Sequence, residues 1–403
     1  MSTSGCPIPA HVPRHLIRDI DPYHLEGGKQ DAVCAWGKVQ QESPDVFFMP
    51  KYGGYWIVTR KALFDQIFTD PQRFSSHRGA VFPELPPETP LFQPLQSDPP
   101  DHQYFRQPFN ILLSPPRVKL LAARAREVVI ERLDSFYGKG QCEFMQEMAM
   151  HVPIAIVMQV FDLPFEDRER LIPMVEVITR SEDLAARATA VQGIAGYVAE
   201  WVMKRTQQPG EDAISALLKI KIGERPVTTE EVISTVTLLL LGGLDSVSHT
   251  MGTIMRFLAE SPEHQRQLAE NPTLIPAALD ELLRRHAISI TTRTLTCDAE
   301  VGGIPMKKGD RIMLSLPMTG LDEQAWPDPM RVDFSREPKN YLNFGTGIHK
   351  CVGLNLARAE LTALLEEWFK RIPSFGITPG DRAVTATGQV QGVMHLPLSW
   401  NVA

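Results

Sequence analysis

The stretch Phe344-Gly345-Thr346-Gly347-Ile348-His349-Lys350-Cys351-Val352-Gly353 holds one cysteine in a glycine-bounded loop, and it leads directly into an amphipathic segment over residues 354–368. The three glycines allow tight backbone turns and close approach to a flat ligand, because glycine carries no Cβ atom. Cys351 precedes the predicted helix. At that position, free N–H groups and the positive end of the helix dipole favour a thiolate over a thiol.

Two interpretations of Cys351 follow from these residues. A single cysteine before a helix is most often a small buried hydrophobic residue. Alternatively, a thiolate held at a helix N-terminus is a strong axial ligand for haem iron, to which it donates electron density. The cysteine by itself favours the first interpretation.

The composition is that of an ordinary soluble globular protein. The chain has 403 residues, of which 43% are hydrophobic and 22% charged, and its formal net charge is −7. It has no basic excess that would indicate nucleic acid as a partner. No run approaches the roughly 18 apolar residues of a membrane span, and residues 1–20 contain no apolar signal core. We therefore expect a cytoplasmic protein that binds neither nucleic acid nor membrane.

The cysteines do not indicate a disulfide framework or a zinc site. There are five of them, an odd number, and they are scattered without a C-x-x-C pair. Apart from Cys351 they are expected to be ordinary thiols. They are Cys6, Cys34, Cys142 and Cys297.

Residue patterns predict a mainly α protein with minor β structure. Two strands at 46–49 and 55–59 are expected to form a hairpin. Residues 81–100 contain seven prolines and predict an irregular lid. Apolar residues at helical spacing predict helices over 127–137, 148–161, 165–180, 185–205, 262–270 and 275–285. Later strands are predicted at 292–296, 311–316 and 390–400.

We expect a single domain over residues 1–403. Its first part, about 1–100, is predicted to be rich in β structure, and the body at about 101–403 is predicted to be rich in helices. No internal repeat is visible in the sequence.

A long helix over residues 232–260 is predicted to lie at the centre of the molecule. Thr228 and Glu231 have the capping-box spacing that starts a helix. Residues 238–244 are apolar on all sides, which is typical of a buried helix.

The middle of this helix reads Gly242-Gly243-Leu244-Asp245-Ser246. Two glycines in a buried helix cost about 1 kcal/mol each relative to alanine. They are expected to admit a planar ligand or to let the helix open locally. A carboxylate in an apolar helix needs a partner or a proton-handling role. The residues alone favour a close helix crossing at the glycines, with Asp245 in a structural ion pair.

Three motifs, in matching order, resemble those of the cytochrome P450 family. Phe-x-x-Gly-x-His-x-Cys-x-Gly at 344–353 resembles the haem-binding signature, with His349 where the family carries Arg or His. Residues 242–246 resemble the oxygen-activation motif, with Ser246 in place of the usual threonine. Glu281 and Arg284 resemble the Glu-x-x-Arg motif. Its implied role is an ion pair that supports the cysteine loop, with a third member near residues 333–336.

The resemblance implies the P450 fold, a triangular helical prism with a long central helix over haem b and small β-sheets. Cys351 is then the axial thiolate, and Asp245 and Ser246 handle protons. Serine keeps the hydroxyl of threonine but lacks the methyl group that restricts χ1. The implied cofactor-binding residues are Gly242 and Phe344, together with His102, Arg106, Arg293 and His349 at positions for the haem propionates.

The resemblance covers nearly the whole chain and is greatest to the soluble bacterial camphor hydroxylase group. It implies a monomeric monooxygenase that hydroxylates a small, largely apolar terpenoid, which is a monoterpene, a cyclic ether such as cineole, or a camphor-like compound. Oxygen comes from O2, and two electrons come from a [2Fe-2S] ferredoxin with an NADH-dependent ferredoxin reductase. The lid tyrosine that holds camphor in that group has no counterpart between Tyr55 and Tyr104, which argues against camphor itself.

The sequence also predicts a substrate pocket and a partner surface. Lys350, Arg358 and Arg106 are expected to form a cationic face for an acidic ferredoxin. Two alternative functions remain, an H2O2-driven thiolate-haem peroxygenase and a non-enzymatic haem-binding or sensor protein on the same fold. The pocket is predicted to be lined by Phe82, Phe92, Leu238, Leu241, Ile288, Ile290 and Val390.

Overall fold

Helices dominate the chain, as a computed structural model of residues 8–337 and 340–402 shows. The helices are α1 (Ala32–Glu42), α2 (Lys61–Thr69), α3 (Asp101–Leu112), α4 (Pro115–Phe136), α5 (His151–Val160), α6 (Arg168–Arg180), α7 (Leu184–Gln207), α8 (Ala213–Leu217), α9 (Thr229–Leu244), α10 (Ser246–Ala259), α11 (Pro262–Glu270), α12 (Ile275–Arg285), α13 (Leu316–Gly320) and α14 (Leu354–Arg371).

The strands are short and, within the described residues, form five small sheets. They are β1 (Val46–Met49), β2 (Tyr55–Val58), β3 (Phe74–Ser75), β4 (Gln141–Glu143), β5 (Lys221–Ile222), β6 (Arg225–Pro226), β7 (Ile290–Leu295), β8 (Ala299–Val301), β9 (Ile304–Met306), β10 (Arg311–Ser315), β11 (Gly376–Ile377), β12 (Val384–Ala386), β13 (Gly392–His395) and β14 (Pro397–Ser399).

The largest sheet joins the N-terminal hairpin to the C-terminal half of the chain. β1 and β2 pair antiparallel, with Val46 opposite Val58, so the predicted hairpin is confirmed. β2 runs parallel to β10, β10 is antiparallel to β7, and β3 completes the order β1-β2-β10-β7-β3. Every residue of β1 and β2 is buried, which explains their uninterrupted apolar sequences.

The strand predicted at 390–400 is wrong as a single element. β13 pairs with β12 in one sheet, and β14 pairs with β11 and β4 in another. The chain changes sheets at Leu396, whose N–H donates to Glu143 Oε1 rather than to a strand carbonyl. Pro397 then starts β14, a position where the missing N–H is tolerated.

α9 and α10 together form the predicted central helix. The capping box is present, since Glu231 N donates to Thr228 Oγ1 and Thr228 N donates to Glu231 Oε2. Thr229–Ala259 is long and apolar enough to cross a membrane, but the buried core helix of a soluble protein can have the same length and composition. Here it packs against α5, α7 and β13 in the interior of the protein.

The central helix is interrupted at Asp245. This residue has φ −125° and ψ −50°, outside the helical region, so α9 ends before it and α10 begins after it. The local opening predicted from the glycines is therefore confirmed.

α14, which follows the cysteine loop, is fixed by aromatic packing at its far end. Trp368 is completely buried and contacts the rings of Phe144, Phe375 and Trp400. The helix also packs along α4 and α12. Because α14 is held by a large apolar core, the loop at its N-terminus has a rigid base.

Glu281 and Arg284 form the predicted ion pair, and both side chains are completely buried. Arg284 Nε and Nη2 donate to the two Glu281 oxygens at 2.8 Å. Arg336 Nε donates to Glu281 Oε1 at 3.2 Å, and Asp333 N donates to it at 3.1 Å. The expected third member at residues 333–336 is confirmed. The cluster ties α12 to the segment that leads into the cysteine loop.

We predict that Glu281→Gln lowers the free energy of unfolding by about 3–5 kcal/mol, because it leaves buried guanidinium charge without a carboxylate. Urea denaturation followed by circular dichroism measures this change. A matched control is Asp298→Asn, which removes a solvent-exposed ion pair with Lys307 and should leave the transition midpoint unchanged. Equal midpoints for the two variants would contradict a supporting role for Glu281.

Candidate active site

A cavity of about 450 Å³ lies beside the break in the central helix. Its walls come from α9 and α10, the lid over residues 81–100, the start of β7, the cysteine loop and α14. Cys351 lies deep in the molecule, yet its side chain is open to this cavity. The cavity therefore collects most of the residues singled out from the sequence.

Backbone geometry holds the cysteine loop in place. Gly345 and Gly347 have φ values of 63° and 69°, in the left-handed region that favours glycine. A Cβ atom on Gly347 would lie 2.4 Å from the carbonyl oxygen of Phe68, so the loop rests directly on the end of α2. Cys351 N donates to Phe344 O at 2.8 Å, which closes the loop.

The surroundings of Cys351 act on its thiol in opposite directions. Burial raises the pKa of the thiol, while the N–H groups of Gly353 and Leu354 and the charge of Arg106 lower it. Burial dominates, so the pKa of the thiol is raised. The sequence led us to expect that the helix N-terminus would favour a thiolate, and the helix N-terminus does not do so by itself. A coordinating metal ion would deprotonate this thiol.

Arg106, Arg293 and His349 line one end of the cavity, and His102 does not line it but contacts His349. The rings of His102 and His349 meet edge to face at 4.5 Å. Burial, together with the charges of Arg293 and Arg106 and the neighbouring His102, lowers the pKa of His349 to about 2. Burial also lowers the pKa of Arg293, to about 10. Arg106 donates to the carbonyl of Lys350.

This cluster has unused hydrogen-bonding capacity. The Nε2 atoms of His102 and His349 are buried and have no partner among the described residues. Neither Arg106 nor Arg293 pairs with a carboxylate within the described part of the chain. Buried polar groups require partners, so the cluster fits an anionic group. The two propionates of haem b are of this kind, and the residues present fit that cofactor.

The two glycines of the central helix have different neighbours. A Cβ atom on Gly242 would meet nothing within 4 Å, and Gly242 lines the cavity. A Cβ atom on Gly243 would lie 2.9 Å from Val157 Cγ2 in α5. Gly242 thus leaves room for a flat ligand, and Gly243 permits the close helix crossing. The expected room for a planar ligand is therefore found at Gly242, and the expected close helix crossing is found at Gly243.

Asp245 is held in the structural ion pair that the residues alone favoured. Its Oδ1 lies 2.9 Å from Arg180 Nη2 and 3.1 Å from His249 Nε2. Burial acts to raise the pKa of Asp245, but His249 and Arg180 outweigh it and hold the pKa at about 2. Asp245 Oδ2 is buried without a partner in the described structure, and the residue lines the cavity. Asp245 thus combines an ion pair with access to the site.

The hydroxyl of Ser246 also faces the break in the helix. Ser246 Oγ donates to Gly242 O at 2.9 Å, and Ser246 lines the cavity. The hydroxyl is thus placed between the helix backbone and the open space.

Most of the predicted pocket residues line the cavity, as does Phe344. Phe82 does not: its ring is completely buried and packs on Tyr23, Tyr52 and Tyr55 of the N-terminal region. The assignment of Phe82 to the pocket is wrong because the lid turns this side chain towards the hairpin. The other predicted pocket residues line the cavity, namely Phe92, Leu238, Leu241, Ile288, Ile290 and Val390.

The lid is irregular, as predicted, but it is tied to the central helix. Residues 81–100 contain neither helix nor strand. Gln93 N donates to Ser234 Oγ at 3.0 Å, and Ser234 Oγ donates to Leu91 O at 2.6 Å. One serine of α9 therefore fixes the part of the lid that carries Phe92.

Glu360 is a cavity residue that the sequence analysis missed. It lies on α14, is buried, and has no partner for Oε2 among the described residues. Burial raises its pKa to about 8. The signal was present in the sequence, because Glu360 shares a helix face with the apolar residues Ala357, Leu361 and Leu364.

Comparisons with known proteins agree with this geometry. The family described as Cytochrome P450 matches residues 171–373. The chain is 30% identical to the probable cytochrome P450 127A1 of Sinorhizobium fredii, over 98% of this chain and 97% of that relative. The solved structure of cytochrome P450 CYP101C1 is 34% identical, with a TM-score of 0.89, over 98% of this chain and all of that one. The structure of CYP101J2 is 30% identical, with a TM-score of 0.88, over 98% and 99%.

The chain belongs to the cytochrome P450 family and has the P450 fold. Its class of activity is that of a P450 monooxygenase, and the family uses haem b with an axial cysteine thiolate. The fold class, family and cofactor predicted from the motifs are confirmed.

The pKa of Glu360 predicts a pH-dependent stability. Its folded-state value of about 8 lies above its ordinary value of 4.5, so the folded protein binds this proton more tightly than the unfolded chain does. Stability from this group is therefore lost as the pH rises from about 4.5 to 8. Glu360→Gln removes the loss and should make the protein roughly 3–5 kcal/mol more stable than wild type at pH 8.5.

Thermal unfolding between pH 5 and 8.5 measures this difference, which should widen as the pH rises. Glu300→Gln, at an exposed position of β8, is the control and should follow the wild-type profile. Parallel curves for wild type and Glu360→Gln would show that Glu360 does not titrate in this range.

Proposed function

We propose that Cys351 is the axial thiolate of haem b in this cavity and that the enzyme hydroxylates a small, largely apolar terpenoid. The observation that supports it best is that one cavity combines an open cysteine side chain, an unpartnered cluster of cations and imidazoles, and an apolar wall. When bound, haem b supplies the activation of O2 and the cleavage of its O–O bond.

The cofactor contacts follow from the chemistry of each side chain. Arg106 and Arg293 supply positive charge for the propionates, and the free Nε2 atoms of His349 and His102 supply hydrogen bonds. Gly242 leaves the space above a flat ring open. Phe344 borders the cavity from the cysteine loop.

Asp245 and Ser246 handle protons in this proposal. Asp245 Oδ2, the carboxylate oxygen without a partner, receives a proton, and the neighbouring Ser246 Oγ passes it into the cavity. Ser246 must first release its hydrogen bond to Gly242 O. Serine turns about χ1 more freely than threonine, so the relay works with a less restricted hydroxyl than the family motif usually provides.

The apolar wall and the missing lid tyrosine support a terpenoid other than camphor. Leu238 and Leu241 of α9, Ile288 and Val390 are among the apolar residues that line the cavity. Such a surface binds a compact hydrocarbon skeleton by burial and packing. A monoterpene or a cyclic ether such as cineole has that form.

A [2Fe-2S] ferredoxin with an NADH-dependent reductase is the proposed electron source. The docking face predicted from the sequence needs one correction. Arg358 is paired with Asp280 and Tyr341, so its charge is neutralised locally. Lys350 is exposed next to the cysteine, and Arg106 donates to its carbonyl. Lys350 remains a candidate to attract an acidic partner, whereas the charge of Arg106 is assigned to a propionate in this proposal.

We further propose a cytoplasmic monomer, in keeping with soluble bacterial relatives. Of the two alternative functions, the H2O2-driven peroxygenase is disfavoured by the pair Asp245–Ser246, since such enzymes typically lack this acid and alcohol. Turnover with NADH, reductase and ferredoxin, compared with turnover on H2O2 alone, separates the monooxygenase from the peroxygenase. A haem-binding sensor would turn over with neither.

The spectrum of the reduced, CO-bound protein tests the first part of the proposal. We expect the red-shifted Soret band that gives the family its name, because thiolate ligation produces it. Cys351→Ser should abolish that band, whereas Cys142→Ser, at a buried cysteine outside the cavity, should retain it. A titration of the oxidised protein with monoterpenes should then shift the spin state. A band typical of histidine ligation in fresh protein would reject Cys351.

The role of Ser246 is tested by comparing two hydroxyl deletions in α10. We predict that Ser246→Ala keeps substrate affinity but diverts reducing equivalents to H2O2, because the proton relay is lost. Thr253→Val is the matched control, since Thr253 Oγ1 makes the same kind of hydrogen bond to His249 O at 2.8 Å but lies outside the cavity. Product and H2O2 formed per NADH are measured. Coupling that is unchanged in Ser246→Ala would remove Ser246 from the mechanism.

A further inference from the structure

Arg187 of α7 is completely buried without a carboxylate partner in the described structure. Its Nη2 donates to Gln389 Oε1 at 2.8 Å, and its Nη1 lies 3.4 Å from the carbonyl oxygen of Pro83. Its Nε atom has no partner. A buried guanidinium is unfavourable unless its N–H groups are hydrogen-bonded. The groups that contact Arg187 must therefore present acceptor atoms to it.

That constraint fixes the orientation of the Gln389 amide. A guanidinium group has only donors, so the amide atom that faces it must be the oxygen. The NH2 group of Gln389 consequently points away from Arg187. No acceptor among the described residues takes a hydrogen bond from this NH2 group, and Gln389 lines the cavity.

The backbone around Gln389 is held on both sides. Its carbonyl accepts a hydrogen bond from Ile290 N at 2.8 Å, and Gln391 N donates to Ile288 O at 2.9 Å. Val390 forms an isolated bridge with Ser289. The amide therefore stands at a fixed position within the apolar wall.

Two neighbouring hydroxyl groups of the wall already have hydrogen-bond partners. Thr179 Oγ1 donates to Val175 O at 3.0 Å and accepts from Arg180. Thr291 Oγ1 donates to Ala80 O at 3.1 Å and accepts from Arg293. Ser289 also lines the cavity, and its hydroxyl has no comparable acceptor in the described structure. The amide of Gln389 offers two N–H groups in a direction set by Arg187, whereas the hydroxyl of Ser289 rotates freely.

We infer that Gln389, oriented by Arg187, donates a hydrogen bond to an oxygen atom of the substrate. The substrate class is then an apolar skeleton that already carries a ketone or ether oxygen, rather than a pure hydrocarbon. This inference rests on the proposed function and specifies its substrate. Gln389 thereby supplies the donor that the lid of this protein lacks. Arg187 is a positioning residue that acts through the amide.

The test uses two pairs of ligands that share a carbon skeleton and differ by one carbonyl oxygen, camphor with camphane and fenchone with fenchane. Dissociation constants come from calorimetry on the haem-loaded protein. For each pair, the preference is the dissociation constant of the hydrocarbon divided by that of the ketone. This preference should be about five to ten times larger for wild type than for Gln389→Leu, because the variant loses one hydrogen bond from a buried donor to the ketone. Affinity for the hydrocarbons should change by less than about twofold, which also shows that the variant is folded.

Two further variants complete the test. Arg187→Met releases the amide and should reduce the preference for the ketones in the same direction as Gln389→Leu. Ser289→Ala should retain the preference. Loss of the preference in Ser289→Ala, or its persistence in Gln389→Leu, would overturn the inference.

The outcomes also separate this inference from the proposed function. Equal binding of ketone and hydrocarbon by wild type would overturn the role of Gln389 and leave the terpenoid assignment in place. Binding of neither ligand pair by wild type would overturn the inference, and the spin-state titration with monoterpenes would then decide the terpenoid assignment.

Discussion

The ion pair between Asp245 and Arg180 connects the central helix to α6 at the one residue where the helix is broken. The break, in turn, gives the cavity its polar edge, because Ser246 Oγ bonds to Gly242 O there. Removing the helical geometry at a single residue is tolerable only because a buried carboxylate finds two partners. The positions of Asp245 and Ser246, the open space beside Gly242 and the link to α6 therefore depend on one buried contact.

The distribution of buried charge around the cavity follows a common rule. Arg106, Arg293 and Arg187 have no carboxylate partner among the described residues, whereas Arg284 and Arg180 do. The paired arginines lie where the fold is fixed. These three unpaired arginines lie where a ligand is expected: two next to the cysteine loop and one behind the amide of Gln389. Arg285, also buried without a carboxylate in the described structure, contacts Met330 O and Cys34 Sγ outside the cavity. Positive charge left unpaired inside a protein is unfavourable, so its location indicates where binding partners are needed.

Features that depend on neighbouring residues in the chain were predictable from the sequence. The capping box at Thr228, the opening near Gly242 and the cysteine loop each follow from local spacing. The ion pair of Glu281 was predictable because a motif specifies it. These features account for the fold class and for the residues at the centre of the site.

Other features depend on the path of the chain in three dimensions, and the sequence could not provide them. Phe82 sits in a lid segment whose direction decides which side chains face inward. Arg358 was counted as a free charge until its pairing with Asp280 was visible. The pKa of Cys351 depends on burial as well as on the helix end. Gln389 became informative only beside Arg187, a residue that is distant in sequence.

The order of strands in the largest sheet has a consequence for synthesis in the cell. β2 pairs with β10, with Trp56 opposite Ile312. One edge of the hairpin therefore stays unpaired until most of the chain has left the ribosome. At roughly 5–20 residues per second, this delay lasts on the order of ten seconds or more. Throughout it, a wholly apolar strand edge remains available for incorrect pairing. We therefore expect the yield of active enzyme to depend on translation speed and on chaperones that cover this edge.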